Sequence, residues 1–354
     1  MSSTQSADLS SHAVPEAALP IVDVSALRDP SAKPADQLQV AAAIRKACCE
    51  SGFFYITGHG IDRDLQQALH EQCRRFFALP QPDKLALHMR NGGRAWRGYF
   101  PVGEELTSGR PDQKEGLYFG SELGRDHPRV QAQIPLHGAN LFPTQPPDLR
   151  ALVLRYIDDL TILGHHLMAG ISLSLGLPPS YFAEHYTQDP TVLFRVFHYP
   201  AQPTEDRESW GVGEHTDYGV LTLLLQDVVG GLQIKRDGLW LDAPPIEDTL
   251  VCNIGDMLER LTRGLYRSTP HRVRNTSGQS RLSFPFFFDP AWESRVAPLP
   301  ATPVLDAARP QHAHERWDGK DVHAFCGTYG EYLLAKVSSV FPNLHASTTP
   351  RHVD

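Results

Sequence analysis

A chain of 354 residues, 41% hydrophobic and 21% charged, is long enough for one large core with an added helical layer and too long for a minimal domain. Its 33 Lys and Arg against 41 Asp and Glu leave a formal charge of −8, which argues against nucleic acid and anionic membrane as partners. No apolar run reaches the roughly 18 residues of a membrane span, and the polar opening segment lacks the basic-then-apolar order of a secretory signal. Five Cys with no CxxC, two of them adjacent at Cys48 and Cys49, fit a reducing, cytoplasmic setting better than a disulfide framework.

Residues 1–18 are Ser, Ala and Pro-rich and read as a disordered tail. Pro20–Val24 reads as a first short strand, and Leu38–Ala47 lies in a helical stretch that Ser51-Gly52 terminates. Phe53–Thr57 is a second β-prone run. Asp62 caps a helix whose apolar stripe is Leu65, Ala68, Leu69, Cys73, Phe76 and Phe77, ended by Pro80. Residues 90–147 carry little periodicity. The longest helical signal follows: Leu149, Leu152, Val153, Tyr156, Leu160, Leu163, Leu167 and Ile171 recur at spacings of three and four, closed by Gly176 and Pro178. Such a helix suits the role of a spine under a sheet.

From residue 191 the period changes to two. Val192–Tyr199, Val220–Gln226, Leu232–Lys235, Leu250–Ile254, His271–Asn275 and Arg281–Phe288 read as strands of an all-β sandwich or barrel, and Tyr329–Val340 as a last helix stopped by Pro342. The expected architecture is a helical N-terminal half laid against a C-terminal β-core.

The sharpest chemical feature is His215-Thr216-Asp217, with His271 a further 54 positions along. Residues i and i+2 of an extended segment point the same way, so His215 and Asp217 can reach one metal that His271 joins from another strand. Two imidazoles and one carboxylate leave coordination positions open and suit Fe(II) oxygen chemistry. With seventeen His in the chain, HxD alone is weak, and the neighbouring pattern is what raises it. Arg281 and Ser283 alternate onto one face, a guanidinium and a hydroxyl fit to receive a carboxylate. Arg195, Phe197 and Tyr199 share a face of another strand and suggest a polar cavity, with a wet outer sheet face as the equal alternative. Gly230–Gln233 and Asn253–Asp256 read as structural turns, with no phosphate loop and no nucleophile elbow.

Over nearly its whole length, from about Pro20 to Pro342, the chain resembles the iron(II)- and 2-oxoglutarate-dependent dioxygenases of the isopenicillin N synthase-like family. The resemblance lies in GFFYITGHGI (52–61), RGYFPVGEE (97–105), KEGLYFG (114–120), and the long blocks 213–234, 251–273 and 281–290. It implies a mainly β fold with α-helices: a double-stranded β-helix, or jelly-roll, core at 181–342 with its C-terminal helix. A mixed helical region at 19–180, including the long spine helix, would precede it, and a tail at 343–354 would follow. It implies that His215, Asp217 and His271 hold Fe(II), that Arg281 and Ser283 bind the distal carboxylate of 2-oxoglutarate with support from Tyr199, and that Phe287 lines the substrate pocket beside Arg195. O₂ would be the oxidant and ascorbate a supporting reductant. One departure is Phe197, where many plant relatives carry Asn.

The implied activity is hydroxylation or desaturation of a small-molecule metabolite, with release of succinate and CO₂. A 2-oxoglutarate-independent oxidase is the alternative, since isopenicillin N synthase itself keeps the triad and an Arg-x-Ser pair. A non-catalytic jelly-roll binding protein is a more distant one. The substrate is unreadable from the sequence. Its pocket would be walled by the unpatterned segments 90–125 and 291–324, in which Arg97, Arg110 and Lys114 read as a solvated basic face.

Overall fold

A computed structural model describes residues 19–201, 210–306 and 322–341. The tails expected at 1–18 and 343–354, and the stop at Pro342, lie outside the described residues. Among the described residues, twelve strands form two sheets. They are β1 (Ile21–Asp23), β2 (Phe53–Thr57), β3 (Gly98–Phe100), β4 (Glu115–Gly120), β5 (Thr191–Tyr199), β6 (Val212–His215), β7 (Leu221–Gln226), β8 (Leu232–Arg236), β9 (Leu239–Asp242), β10 (Leu250–Ile254), β11 (His271–Val273) and β12 (Arg281–Asp289). The major sheet runs β1-β2-β10-β7-β12-β5-β4-β3 and the minor sheet β6-β11-β8-β9. All pairs but β1–β2 are antiparallel. The fold is the jelly roll that the family resemblance implies, with one amendment. The N-terminal half is more than a helical layer, since it adds β1 and β2 at one edge of the major sheet and β3 and β4 at the other.

The four longest described helices are α1 (Pro34–Glu50), α2 (Arg63–Phe77), α3 (Leu149–Ser174) and α4 (Tyr329–Val340). Each begins or ends on a readable signal. Asp62 accepts a hydrogen bond from the Asp64 N–H at 2.9 Å, and Thr328 with Glu331 forms a reciprocal capping box at the start of α4. Gly52 leaves α1 at φ 64°, and its hypothetical Cβ would lie 2.1 Å from the Arg267 carbonyl oxygen, so only Gly fits there. α3 is the spine: its 26 residues bury Val153, Tyr156, Leu160, Leu163, Leu167 and Ile171 against the back of the major sheet.

Strand alternation divides that sheet. Val192, Phe194 and Val196 of β5 and Phe284, Phe286 and Phe288 of β12 are buried on the helix side, where Phe194 meets Tyr156 of α3 at 5.2 Å and Phe284 meets His70 of α2 at 5.8 Å. The alternate residues of the same strands face the minor sheet, and the space between the sheets is a cavity. Among the described residues no helix is long and apolar enough to cross a membrane.

Candidate active site

The cavity is walled by both sheets. Leu193, Arg195, Phe197 and Tyr199 come from β5, Arg281, Ser283, Phe287 and Asp289 from β12, and His215 and His271 from β6 and β11. His271 pairs with His215 across the β6–β11 ladder, which brings their rings to 4.2 Å between centroids. Asp217 lies just past the end of β6, and its Oδ1 is 3.9 Å from His215 Nε2 and 3.7 Å from His271 Nε2. One ligand atom from each of the three falls within 4.8 Å of the others.

Every uncommitted group in this cluster is aimed inward. Nδ1–H of His215 donates to the Gly213 carbonyl at 2.8 Å and Nδ1–H of His271 to the Thr269 carbonyl at 3.2 Å, so both Nε2 lone pairs face the centre. Asp217 Oδ2 accepts from Thr222 Oγ1 and from Asn253 Nδ2, each at 2.7 Å, which leaves Oδ1 for the centre. Phe53 meets the His271 ring edge-to-face at 5.1 Å. Burial, and then the charge of His271, push the His215 imidazole down to about 3, so it stays neutral. Burial works to raise the Asp217 carboxyl, but the fields of His271 and His215 and its two hydrogen bonds outweigh this and hold it low. A neutral His215 and an ionised Asp217 are the protonation states that a divalent metal requires of these two ligands.

The second half of the cavity suits an anion. Arg281 is 0% exposed, its Nε donates to the Gly230 carbonyl, and neither Nη has a hydrogen-bond partner among the described residues. A permanent cation with two unbonded donors buried in a cavity is costly unless a ligand meets it. Tyr199 supplies a ring face 4.7 Å from the guanidinium, and Ser283 lies two residues along the same strand face. The donor set therefore fits Fe(II) and a dicarboxylate 2-oxo acid.

The structure overturns one expectation about the walls. Lys114 and Arg97 are 1% and 3% exposed and form no solvated basic face; of the three only Arg110 is exposed. Arg97 donates to the Phe119 and Leu136 carbonyls at 3.0 and 2.9 Å. Lys114 ion-pairs with Glu105 at 2.7 Å and with Asp112, and it lines the cavity with Glu105 and Thr107. The other wall includes Leu333 and Val340 of α4. Sequence reasoning also passed over Asn253, read as part of a turn. Its signal was a polar residue inside an otherwise apolar strand, and it is buried against Asp217.

Comparison with known proteins gives the class. Residues 19–145 match the family model described as non-haem dioxygenase in morphine synthesis N-terminal, and residues 190–290 match the 2OG-Fe(II) oxygenase superfamily. A probable iron/ascorbate oxidoreductase of Dictyostelium discoideum is 47% identical, with 92% of this chain and 95% of that protein covered. A 1-aminocyclopropane-1-carboxylate oxidase of Dictyostelium mucoroides is 40% identical over the same shares. Among solved structures, a full-length Neurospora crassa protein in complex with alpha-KG and thymine superposes with a TM-score of 0.74 at 28% identity, covering 91% of this chain and 96% of that one. The chain belongs to the isopenicillin N synthase-like 2-oxoglutarate–Fe(II) oxygenases. It is a non-haem iron oxidoreductase that uses Fe(II), 2-oxoglutarate and O₂.

Proposed function

We propose that this enzyme hydroxylates or desaturates a small-molecule metabolite, converting 2-oxoglutarate and O₂ to succinate and CO₂. In this reading His215, Asp217 and His271 hold Fe(II), and Arg281 with Ser283 receives the distal carboxylate of 2-oxoglutarate. When bound, the iron and its 2-oxo acid supply the oxidising power for cleaving a substrate C–H bond. The chain's own residues do the rest. His215 and His271 turn their Nε2 atoms to the centre because their Nδ1–H groups are committed to backbone carbonyls. Asp217 offers one oxygen because Thr222 and Asn253 hold the other. Arg281 fixes the orientation of the cosubstrate through a bidentate fork, and Tyr199 supports that guanidinium from below. The apolar walls, Leu193, Leu224, Phe287 and Leu333, exclude water from the reacting centre. The five free cysteines support a reducing, cytoplasmic compartment for this chemistry.

The observation that carries the reading is the pair of unbonded Arg281 Nη groups buried in the same cavity as the triad. Titrating 2-oxoglutarate into the anaerobic Fe(II) protein and following the metal-to-ligand absorption band tests it. Stranding a buried charge costs about 3–5 kcal/mol, whereas losing one hydrogen bond to a charged group costs roughly 1.5–3 kcal/mol. Arg281→Leu should therefore weaken cosubstrate binding far more than Ser283→Ala does. Equal affinity in wild type and Arg281→Leu would remove Arg281 from the role. The 40% identity to an aminocyclopropane-carboxylate oxidase keeps a second reading in play, an oxidase needing no 2-oxo acid. Absence of any band in wild type at saturating 2-oxoglutarate, together with O₂ uptake that does not need it, would favour that reading.

A further inference from the structure

Three cations line the cavity among the described residues: Lys114, Arg195 and Arg281. Lys114 is closed off by two carboxylates, and Arg281 is assigned above to the cosubstrate. Arg195 remains. Its guanidinium ion-pairs with Glu105 at 3.6 Å, just beyond hydrogen-bond distance. Glu105 is itself already held by Lys114 and by the Tyr118 hydroxyl. The next carboxyl along the wall, Asp289, accepts the Tyr329 hydroxyl at 2.5 Å.

The guanidinium is flanked by aromatic rings, Tyr118 at 4.3 Å and Phe287 at 5.0 Å. These rings come from β4 and β12, the strands on either side of β5, so they flank the guanidinium, whose N–H edge is the part a ligand would meet. A planar, bidentate oxyanion meets that edge best. Arg195 lies four residues from Tyr199, which pairs with Arg281 across the ladder, so the two guanidinium groups stand on backbone positions about 13 Å apart. They stand at separate places along the cavity wall, so with the cosubstrate assigned to Arg281 the second cation is left for a second ligand.

We infer that the prime substrate carries a carboxylate and that Arg195 receives it, with Tyr118 and Phe287 stacked on the guanidinium. This rests on the reading of Arg281 as the cosubstrate anchor, and it names the substrate class of the same cavity. Arg195 stays charged at any working pH, and a bound carboxylate supplies the full hydrogen-bonded partner that Glu105 does not.

The test uses the anaerobic Fe(II)–2-oxoglutarate enzyme and a panel of aliphatic, aromatic and α-amino monocarboxylates, each beside its primary amide. Binding is read from the change in the metal-to-ligand band and from the thermal midpoint. In wild type one or more acids should bind about tenfold or more tightly than the matching amide. Arg195→Met, whose unbranched side chain fits between the two rings, should erase that preference, with 2-oxoglutarate affinity as the internal reference. If Arg195→Met does not fold, Arg195→Lys, which keeps the charge but not the fork, should reduce it. Amides matching acids across the panel, no acid binding at millimolar concentration, or an acid preference that survives substitution of Arg195 would overturn the inference. Failure of wild type to form the 2-oxoglutarate band is a separate result, which overturns the broader reading and this one with it.

Discussion

Asp217 uses its two oxygens differently, and the difference is set by residues that need not touch metal. Thr222 and Asn253 both donate to Oδ2, so Oδ1 alone faces the histidines. Removing such an outer partner typically lowers metal affinity about 10–100-fold. Asn253→Ala should therefore weaken Fe(II) binding by that order while leaving the fold intact, as measured by anaerobic metal titration beside circular dichroism; unchanged affinity would show that Thr222 suffices. Asp289 gives a second, pH-dependent case. Burial raises its carboxyl from 3.8 to about 7, against the opposing hydrogen bond from Tyr329. A folded-state pKa above the unfolded one means that the folded state binds the extra proton between those values. That stabilisation is complete below about 3.8 and is lost as pH rises through about 7. Asp289→Asn keeps an acceptor for Tyr329 and removes the buried charge. In metal-free protein it should raise the thermal midpoint more at pH 8.5 than at pH 5.5; a pH-independent difference would argue against a titrating Asp289. At this scale the sequence made the chemistry-bearing types legible as a set, since His215, Asp217, His271, Arg281 and Ser283 are weak signals singly and gain weight from their order and spacing. Asn253 and Lys114 were not legible, because their importance comes from partners 36 and 9 positions away that only the fold brings close.

The elements follow the same logic. The helices were readable because α2, α3 and α4 each carry an apolar stripe at helical spacing, and α2 and α4 also carry a side-chain cap. The strands at β5, β7, β10 and β12 were readable from their β-rich runs between turn residues. β3, β4 and β6 escaped because each contains glycine, a residue depleted in strands, and the four-residue β9 was passed over as well. Close approach of α3 to β12 is a further demand that no period reveals. A Cβ on Gly164 would lie 2.5 Å from the Phe288 ring, on the strand that carries Arg281 and Ser283. Alanine gains about 1 kcal/mol of helix propensity over glycine, but overpacking a tight core contact costs typically 1–3 kcal/mol. Phe288 is fully buried and has no free space to yield, so the clash should win. Gly164→Ala is expected to lower the urea midpoint, and a stabilised variant would mean that the helix can shift away from the sheet.

For the whole molecule, the cavity is an emergent property. Its lining spans Phe53 to Val340 and draws on both sheets, the N-terminal segment around Glu105 and Lys114, and the last described helix. Because the triad and Arg281 line one cavity between two sheets, loading it ties those sheets together, and binding should register as global stability. A ligand bound only by the folded state adds about 2.7 kcal/mol at a hundredfold excess over its dissociation constant. Under anaerobic conditions the wild-type thermal midpoint should rise once with Fe(II) and again with 2-oxoglutarate. Arg281→Leu should keep the first step and lose most of the second at the same concentration. Asp217→Ala should lose the metal step. It should lose the 2-oxoglutarate step as well, since a 2-oxo acid held at one end by Arg281 needs the metal at the other. If instead 2-oxoglutarate stabilises Asp217→Ala as strongly as wild type, the cosubstrate binds independently of the metal, and the two halves of the cavity are not the single site that their shared space implies.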